Sequence, residues 1–153
     1  MNQQVGIDPD GPSATRENGG DAPALAVVKG FNDALGRGDL PGMIELLDPG
    51  LEWRAPESLP WGGTFRGRAG FQEFLRKVFE APADWDREFR EYIVDGDRVV
   101  VLLRLRGKPK QGEGQFDLPE IHVWKVRHGR VVDFDSSFDT ATVLRVLRLE
   151  QPE

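Results

Sequence analysis

Apolar residues in the first half of the chain recur at the spacing of α-helices, with gaps of three and four residues. Three segments follow this repeat, at about 23–35, 40–48 and 68–80. The third shows it most fully, since Phe71, Phe74 and Val78 fall on one side of a helix. Pro23 suits the first turn of the first helix, and Asp21 is its candidate N-cap. The pattern therefore predicts three amphipathic helices.

From about residue 87 the period changes to two, which is typical of half-buried strands. Long strands are predicted at 87–94, 98–107, 116–126 and 131–139, and shorter extended pieces at 51–56 and 64–67. The turn residues Asp95, Gly96 and Asp97 join the first two long strands as a hairpin. A last helix is predicted over 140–149, with Asp139 as its N-cap. This order predicts an α+β fold in which helices lie on one face of a curved sheet.

Composition narrows the classes of partner and chemistry. The formal charge of −6 argues against nucleic acid, because phosphate contacts need clustered Lys and Arg. The absence of cysteine excludes disulfides and thiolate chemistry, and having only two histidines disfavours a multi-histidine metal site. No window approaches about 18 consecutive apolar residues, so no membrane span is predicted.

The first 22 residues differ in composition from the rest of the chain. They are rich in Gly, Pro, Asn and Asp and lack the apolar segment of a signal peptide. We interpret residues 1–22 as a disordered tail and residues 23–150 as a single domain. A cytoplasmic location is the default expectation.

The strand FDLPEIHVWKV at 116–126 has an unusual face. Alternation places Glu120, His122 and Trp124 on one side of this strand, together with Val126. A solvated face does not need an indole, and a dry core does not tolerate an unpaired carboxylate. A cavity lined by apolar groups and a few polar ones suits all of these side chains, so this face predicts a ligand site.

Several stretches together resemble a known superfamily. They are AVVKGFNDALGRGDLPGMIELLDPGLEWRAP, GGTFRGRAGFQEFL, HVWKVRHGRVVDF and FDTATVL, and they cover about residues 24–148. These stretches are similar to the SnoaL-like polyketide cyclases and ketosteroid isomerases, whose fold is that of nuclear transport factor 2. The resemblance implies a cone-shaped, curved antiparallel sheet wrapped around three N-terminal helices. It implies no single activity, because this fold hosts both enzymes and non-catalytic binding domains.

The ketosteroid isomerase groups can be sought residue by residue. The position that resembles the isomerases' oxyanion-hole Tyr holds Phe31, and the position of their general-base Asp holds Ala55. The position of their protonated Asp holds His122 if the following turn is one residue shorter, or Ile121 in an ungapped match. Two of the three isomerase groups are therefore missing. The resemblance instead implies proton transfer without a cofactor or metal, as in SnoaL-type cyclases.

We predict a catalytic group and a ligand-binding group of residues. His122 is the candidate acid or base, because its pKa lies near neutrality, with Glu120 or Glu57 as its carboxylate partner. Alternatively, Glu120 lies at the rim in a salt bridge to an Arg, and Glu57 is a solvated loop residue. Alternation places Asp133, Asp135 and Asp139 away from the cavity. The predicted ligand-binding residues are Phe31, Trp53, Ala55, Trp61, Leu103, Trp124, Phe134, Ser136 and Phe138.

The leading functional hypothesis is a small cofactor-independent enzyme that acts on an aromatic or polycyclic, polyketide-like molecule by acid–base chemistry. Cyclisation, isomerisation, dehydration and epoxide opening all stay open. The alternative is a non-catalytic ligand-binding or dimerisation domain whose aromatic residues simply fill the cone. A homodimer through the polar face of the sheet is expected from the superfamily, and that face carries Arg104, Arg106, Asp133 and Asp135.

Overall fold

The computed structural model describes residues 14–18 and 22–149. The helices in this part of the chain are α1 (Ala22–Arg37), α2 (Leu40–Glu45), α3 (Gly67–Glu80) and α4 (Thr140–Leu147). The strands are β1 (Ala14–Asn18), β2 (Leu47–Ala55), β3 (Gly63–Arg66), β4 (Ala83–Asp95), β5 (Arg98–Pro109), β6 (Phe116–Arg127) and β7 (Arg130–Phe138). The predicted α+β fold, with helices followed by a meander of long strands, is confirmed.

The seven described strands form one sheet in the order β1-β4-β5-β6-β7-β2-β3. Strands β4 to β7 are consecutive antiparallel neighbours, because short turns join them. Strand β2 instead pairs in parallel with β7, at the far end of the chain. This pairing closes the sheet around α1 and α3 and gives it two faces, one toward the helices and one outward.

Part of the predicted N-terminal tail lies within the described residues of the chain. Residues 14–18, within the predicted tail, form β1 and pair in parallel with β4, from Ala14 beside Glu91 to Asn18 beside Asp95. The exposed edge of β4 offers unpaired backbone groups, which explains why a segment of polar composition can become a strand. The proposed cap Asp21 lies outside the described residues.

The predicted start of β2 was too late. The chain leaves α2 at Glu45 and is already extended at Leu47, which pairs with Val131 of β7, whereas the sequence predicted helix as far as residue 48. The ladder is irregular between Leu47 and Glu52, where Pro49 and Gly50 lie. Parallel pairing with a distant strand overrode the local helical repeat.

A β-bulge in β4 decides which side chains of this strand face the helices. The pairing with β5 shifts between Phe89 and Glu91, so Arg90 is an extra residue. As a result Phe89 and Tyr92 are both buried on the inner face, although strict alternation would place them on opposite faces. Arg87, two residues before Phe89, therefore also points inward.

The buried side chains form two clusters along the inner face. The larger lies between α1, α3 and the strands and contains Val28, Phe31, Trp53, Phe71 and Trp124. The smaller lies under α4 and contains Trp61, Leu105, Phe116, Val143 and Leu144. Asp139 caps α4 by accepting a hydrogen bond from the Thr142 backbone N–H, as predicted. A cavity remains between the two clusters.

Candidate functional site

The cavity has a volume of about 310 Å³ and opens between α3 and the inner face of the sheet. This is within the size range of small-molecule sites. Most of the predicted site residues line it: Phe31, Trp53, Ala55, Trp61, Glu120, His122, Trp124, Phe134, Ser136 and Phe138. Residues that the sequence predicted for one site, from α1, β2, β6 and β7, therefore line one cavity in the structure.

Two predicted site residues do not line this cavity. Glu57 is exposed, because the loop after β2 makes a turn in which the Leu59 N–H bonds to the Pro56 carbonyl. That turn points Leu59 toward the cavity and leaves Glu57 in solvent. Leu103 is buried within the larger core cluster, behind the cavity wall. The structure therefore does not bring Glu57 and Leu103 to the lining of this cavity.

The register of the sheet explains the row of inward side chains on β6. His122 lies between Val101 of β5 and Ser136 of β7, and Trp124 lies between Val99 and Phe134. Inward positions recur every second residue on all three strands, so Glu120, His122 and Trp124 share the wall of the cavity.

Glu120 and His122 form a buried pair. Their Oε2 and Nε2 atoms are 3.0 Å apart, and the side chains are 2% and 8% exposed. The guanidinium of Arg87 lies on the other side of the carboxylate, with its Nε 3.4 Å from Glu120 Oε1. Both alternatives for Glu120 thus hold in part: it pairs with an Arg, and it contacts His122 inside the cavity.

The charge state of Glu120 follows from these neighbours. Burial raises the pKa of this carboxyl, but attraction to His122 and Arg87, with their hydrogen bonds, outweighs burial and lowers the pKa below its ordinary value. Glu120 is therefore an ionised acceptor at neutral pH. Because a carboxylate can only accept, the proton between the two residues belongs to His122 Nε2.

The other imidazole nitrogen is left without a partner. Among the described residues, nothing hydrogen-bonds to the buried His122 Nδ1, nor to the indole N–H groups of Trp53 and Trp124. A buried polar atom without a partner is costly to the fold. A ligand in the cavity could satisfy these atoms.

The deep end of the cavity is a packed aromatic wall. Trp53 stacks on Phe134 with ring centroids 3.7 Å apart, and Phe31 meets the edge of Trp124 at 5.1 Å. The His122 ring lies 4.8 Å from Phe134 in an edge-on arrangement. These rings pack against one another, mostly edge to face, and form an apolar surface beside the imidazole.

The sequence profile of the SnoaL-like domain family matches residues 28–134. The chain belongs to this family. No curated protein matches the sequence significantly.

Solved structures agree with the fold of this SnoaL-like domain. An NTF2-like protein of unknown function from Burkholderia pseudomallei is 31% identical, with a TM-score of 0.75 over 82% of this chain and 98% of that one. The structure of TerC co-crystallised with polyporic acid is 27% identical, with a TM-score of 0.76 over 83% of this chain and 99% of that one. A candidate polyketide cyclase from Xanthomonas campestris, at 21% identity and a TM-score of 0.64 over 82% and 96%, shows the shared fold alone.

Sequence reasoning missed several polar residues of the SnoaL-like cavity. Arg87, Asp84 and Lys110 line it near the ends of β4 and β5. Asn32 also lines it, is buried, and donates a hydrogen bond to the Tyr92 hydroxyl at 3.3 Å. The sequence did contain a signal for Asn32, because it is a polar residue within the apolar repeat of α1.

Two classes of feature are not found in the described ranges 14–18 and 22–149. No group of three or more His, Cys, Asp or Glu side chains could hold a metal ion. No helix there is long and apolar enough to cross a membrane.

Proposed function

We propose that this SnoaL-like domain is a cofactor-independent enzyme that moves a proton on an aromatic or polycyclic, polyketide-like ligand. The observation that carries the proposal is the Glu120–His122 pair at 3.0 Å in the wall of a cavity bounded by aromatic rings. His122 is the group that exchanges the proton, and Glu120 is a positioning residue that acts through it.

The geometry supports one direction of proton transfer. With its Nε2–H donating to Glu120, His122 keeps a lone pair on Nδ1. That nitrogen can accept a proton from an activated carbon next to a carbonyl, which leaves an enolate on the ligand. The imidazolium so formed is stabilised by the Glu120 carboxylate, and Nδ1 can return the proton to another atom of the ligand. No external redox partner is needed for this sequence.

The aromatic wall supports the choice of ligand class. A planar ligand beside Trp53 and Phe134 would stack on apolar surface while its polar edge reaches His122. Holding a ligand in one orientation supplies much of the rate in such reactions. The similarity to TerC, which was crystallised with polyporic acid, also favours a small organic acid or ketone over a macromolecule.

Exchange of carbon-bound hydrogen tests the proposal without knowledge of the natural substrate. We would incubate 1-tetralone with the protein in D2O and follow loss of its α-proton signal by NMR. We expect the protein to accelerate this exchange and His122→Ala to abolish the acceleration. His128→Asn is the matched control, because His128 lies in the β6–β7 turn at a positive φ of 52° that Asn tolerates.

The same experiment separates the two functional hypotheses. Tryptophan fluorescence would report binding of 1-tetralone, since Trp53, Trp61 and Trp124 line the cavity. Binding without accelerated exchange in the wild-type protein would contradict the enzyme proposal and favour a ligand-binding domain. Acceleration that survives His122→Ala would show that another group moves the proton.

A further inference from the structure

The proposed proton transfer uses Glu120 and His122 but not Arg87, the charged group that contacts the carboxylate from its other side. Arg87 Nε lies 3.4 Å from Glu120 Oε1, while His122 Nε2 lies 3.0 Å from the second oxygen, Oε2. Within the described ranges, this is the one ion pair that Arg87 makes. The Glu120 carboxylate therefore joins Arg87 to His122 in a continuous row of three groups.

The sheet brings Arg87 to Glu120 across the intervening strand β5. Leu105 of β5 pairs with Arg87, and Leu103, two residues away, pairs with Glu120. These leucines cannot neutralise a buried carboxylate, so its compensation must come from the neighbouring strand. Strands β4 and β6 are two spacings apart, about 10 Å, which an arginine and a glutamate side chain span together.

The other charged groups of the cavity lie farther from this row. Among the described residues that line the cavity, they are Asp84 and Lys110, and no other residue of its lining is charged or titratable. Asp84 precedes Arg87 by three residues on β4, which is about 10 Å along a strand. The Lys110 backbone N–H bonds to the Pro82 carbonyl at that same end of β4. Arg87 is therefore the cation that acts on the Glu120 carboxylate.

The number of protons on Glu120 and His122 decides whether the imidazole can act as a base. With one proton, Nε2–H donates to the carboxylate and Nδ1 keeps its lone pair. A second proton makes either an imidazolium or a carboxylic acid that donates to Nε2, and in both cases Nδ1 carries a proton. Burial opposes ionisation of Glu120, but attraction to His122 and Arg87 lowers the pKa of this carboxyl. The guanidinium disfavours the second proton, because it repels added positive charge.

We infer that Arg87 is a positioning residue that acts through Glu120 to keep His122 Nδ1 free of a proton near neutral pH. The inference rests on the proposed function, because it names the group that sets the pH range in which His122 is a base. Arg87 does not itself exchange a proton with the ligand. Loss of its charge moves the low-pH edge of activity toward higher pH, whereas loss of a structural contact lowers activity equally at every pH.

Nitrogen NMR of the imidazole measures this protonation without an assay of activity. The chain has two histidines, so in a His128→Asn background every imidazole signal belongs to His122. We would follow the shifts of both ring nitrogens in nitrogen-labelled protein from about pH 4 to about pH 9. Arg87→Gln should raise the pH at which Nδ1 gains its proton by about one unit, since it removes one nearby charge that is 25% exposed.

Three further variants assign this shift to the charge of Arg87. Arg87→Lys keeps a cation and should reverse most of the shift. Arg87→Met is a second neutral variant, so that the result does not depend on the folding of one replacement. Arg90→Gln is the matched control, because Arg90 pairs with Glu88 on the outer face of the same strand and should leave Nδ1 unaffected.

Exchange of the α-protons of 1-tetralone over the same pH range gives a kinetic measurement. We expect the low-pH edge of the rate to move in Arg87→Gln by the same amount as the NMR midpoint, with the rate recovered at higher pH. This pattern separates a change of protonation from a damaged cavity, which would lower the rate throughout.

The contrary results are distinct. An unchanged Nδ1 midpoint in both neutral variants, or a shift that Arg87→Lys does not reduce, would overturn the role of Arg87. A rate loss in Arg87→Gln that is equal at every pH would also contradict it. The expected NMR shift in a protein that does not accelerate exchange would uphold the effect of Arg87 on protonation and contradict the proposed function alone.

Discussion

At the scale of single residues, the buried pair Glu120 and His122 is the most demanding feature of the fold. An ionised carboxylate 2% exposed is tolerated only because two cationic or hydrogen-bonding groups surround it. Its neighbours on the inner face, Val101 and Leu103, cannot compensate it. The two residues proposed to take part in proton transfer therefore also affect the stability of the fold.

Removing one partner should cost more than removing both. We expect His122→Ala to lower the free energy of unfolding by about 3 kcal/mol, because it leaves a buried carboxylate with only the longer contact to Arg87. Glu120→Gln/His122→Ala should be more stable than the single variant, since the charge is gone. Urea unfolding of the complete double-mutant cycle measures this coupling, and strictly additive effects would contradict it.

Tyr92 makes stability sensitive to high pH. Burial raises the pKa of this hydroxyl above its ordinary value, and nearby Asp33 adds to the effect, although the hydrogen bond from Asn32 opposes it. A raised pKa means that the stability contribution is complete below the unfolded-state pKa and is lost as pH rises through the folded-state value. We therefore expect stability to fall above about pH 10.

The sequence contains a single tyrosine, so this titration can be followed directly. Absorbance at the phenolate band should show ionisation only as the protein unfolds. Tyr92→Phe should flatten the alkaline loss of stability. An unchanged pH dependence in that variant would assign the effect to lysines instead.

At the scale of secondary-structure elements, local sequence determines where the helices form, whereas long-range pairing determines where the strands begin and which way they face. The helices follow their apolar repeats closely, because α1 and α3 bury one face against the same sheet. The strands depend on their partners: β2 extends earlier than its own pattern predicts, and β4 changes face at Arg90. Glycines within these elements show where extra side-chain volume is tolerated.

Gly30→Ala should stabilise helix α1. An added Cβ would lie 3.7 Å from Leu46 Cδ1, an ordinary contact, and Ala is the better helix former. We expect the free energy of unfolding to rise by up to about 1 kcal/mol. Gly107→Ala is the contrasting variant, because its Cβ would collide with the Phe116 ring and should destabilise the protein. Thermal unfolding of both proteins checks the opposite signs.

At the scale of the whole molecule, the outer face of the sheet is a mixed surface. Ion pairs join Glu88, Arg106 and Asp117 across β4, β5 and β6. Beside them the apolar side chain of Ile121 is 43% exposed. The predicted homodimer through the sheet would cover this face.

We expect the protein to have the mass of a dimer by light scattering, and Ile121→Glu to shift it toward the monomer. At a two-fold interface both copies bury the new carboxylate, so the substitution weakens dimerisation twice. Phe79→Glu is the control, because Phe79 is 72% exposed but lies on α3 at the cavity. A monomeric wild-type protein, or a dimer lost only in Phe79→Glu, would contradict an interface on the sheet.

The sequence by itself determined the features that depend on local periodicity. Helices α1 and α3, the meander of β4 to β7 and the shared face of Glu120, His122 and Trp124 all follow from repeats within one segment. The order of the elements predicted the curved sheet, and the family resemblance added its cone shape. These predictions succeeded because neighbouring residues fix which way each side chain points.

Only the tertiary structure decided the features that depend on distant pairing. The bulge at Arg90 turned Arg87 toward Glu120, the parallel contact of β2 with β7 closed the cone, and a single turn removed Glu57 from the cavity. None of these can be read from one segment, because each is set by a partner strand or loop elsewhere in the chain. The contact between Glu120 and His122 was thus determined locally within β6, whereas the position of Arg87 beside them was determined by how the strands pack together.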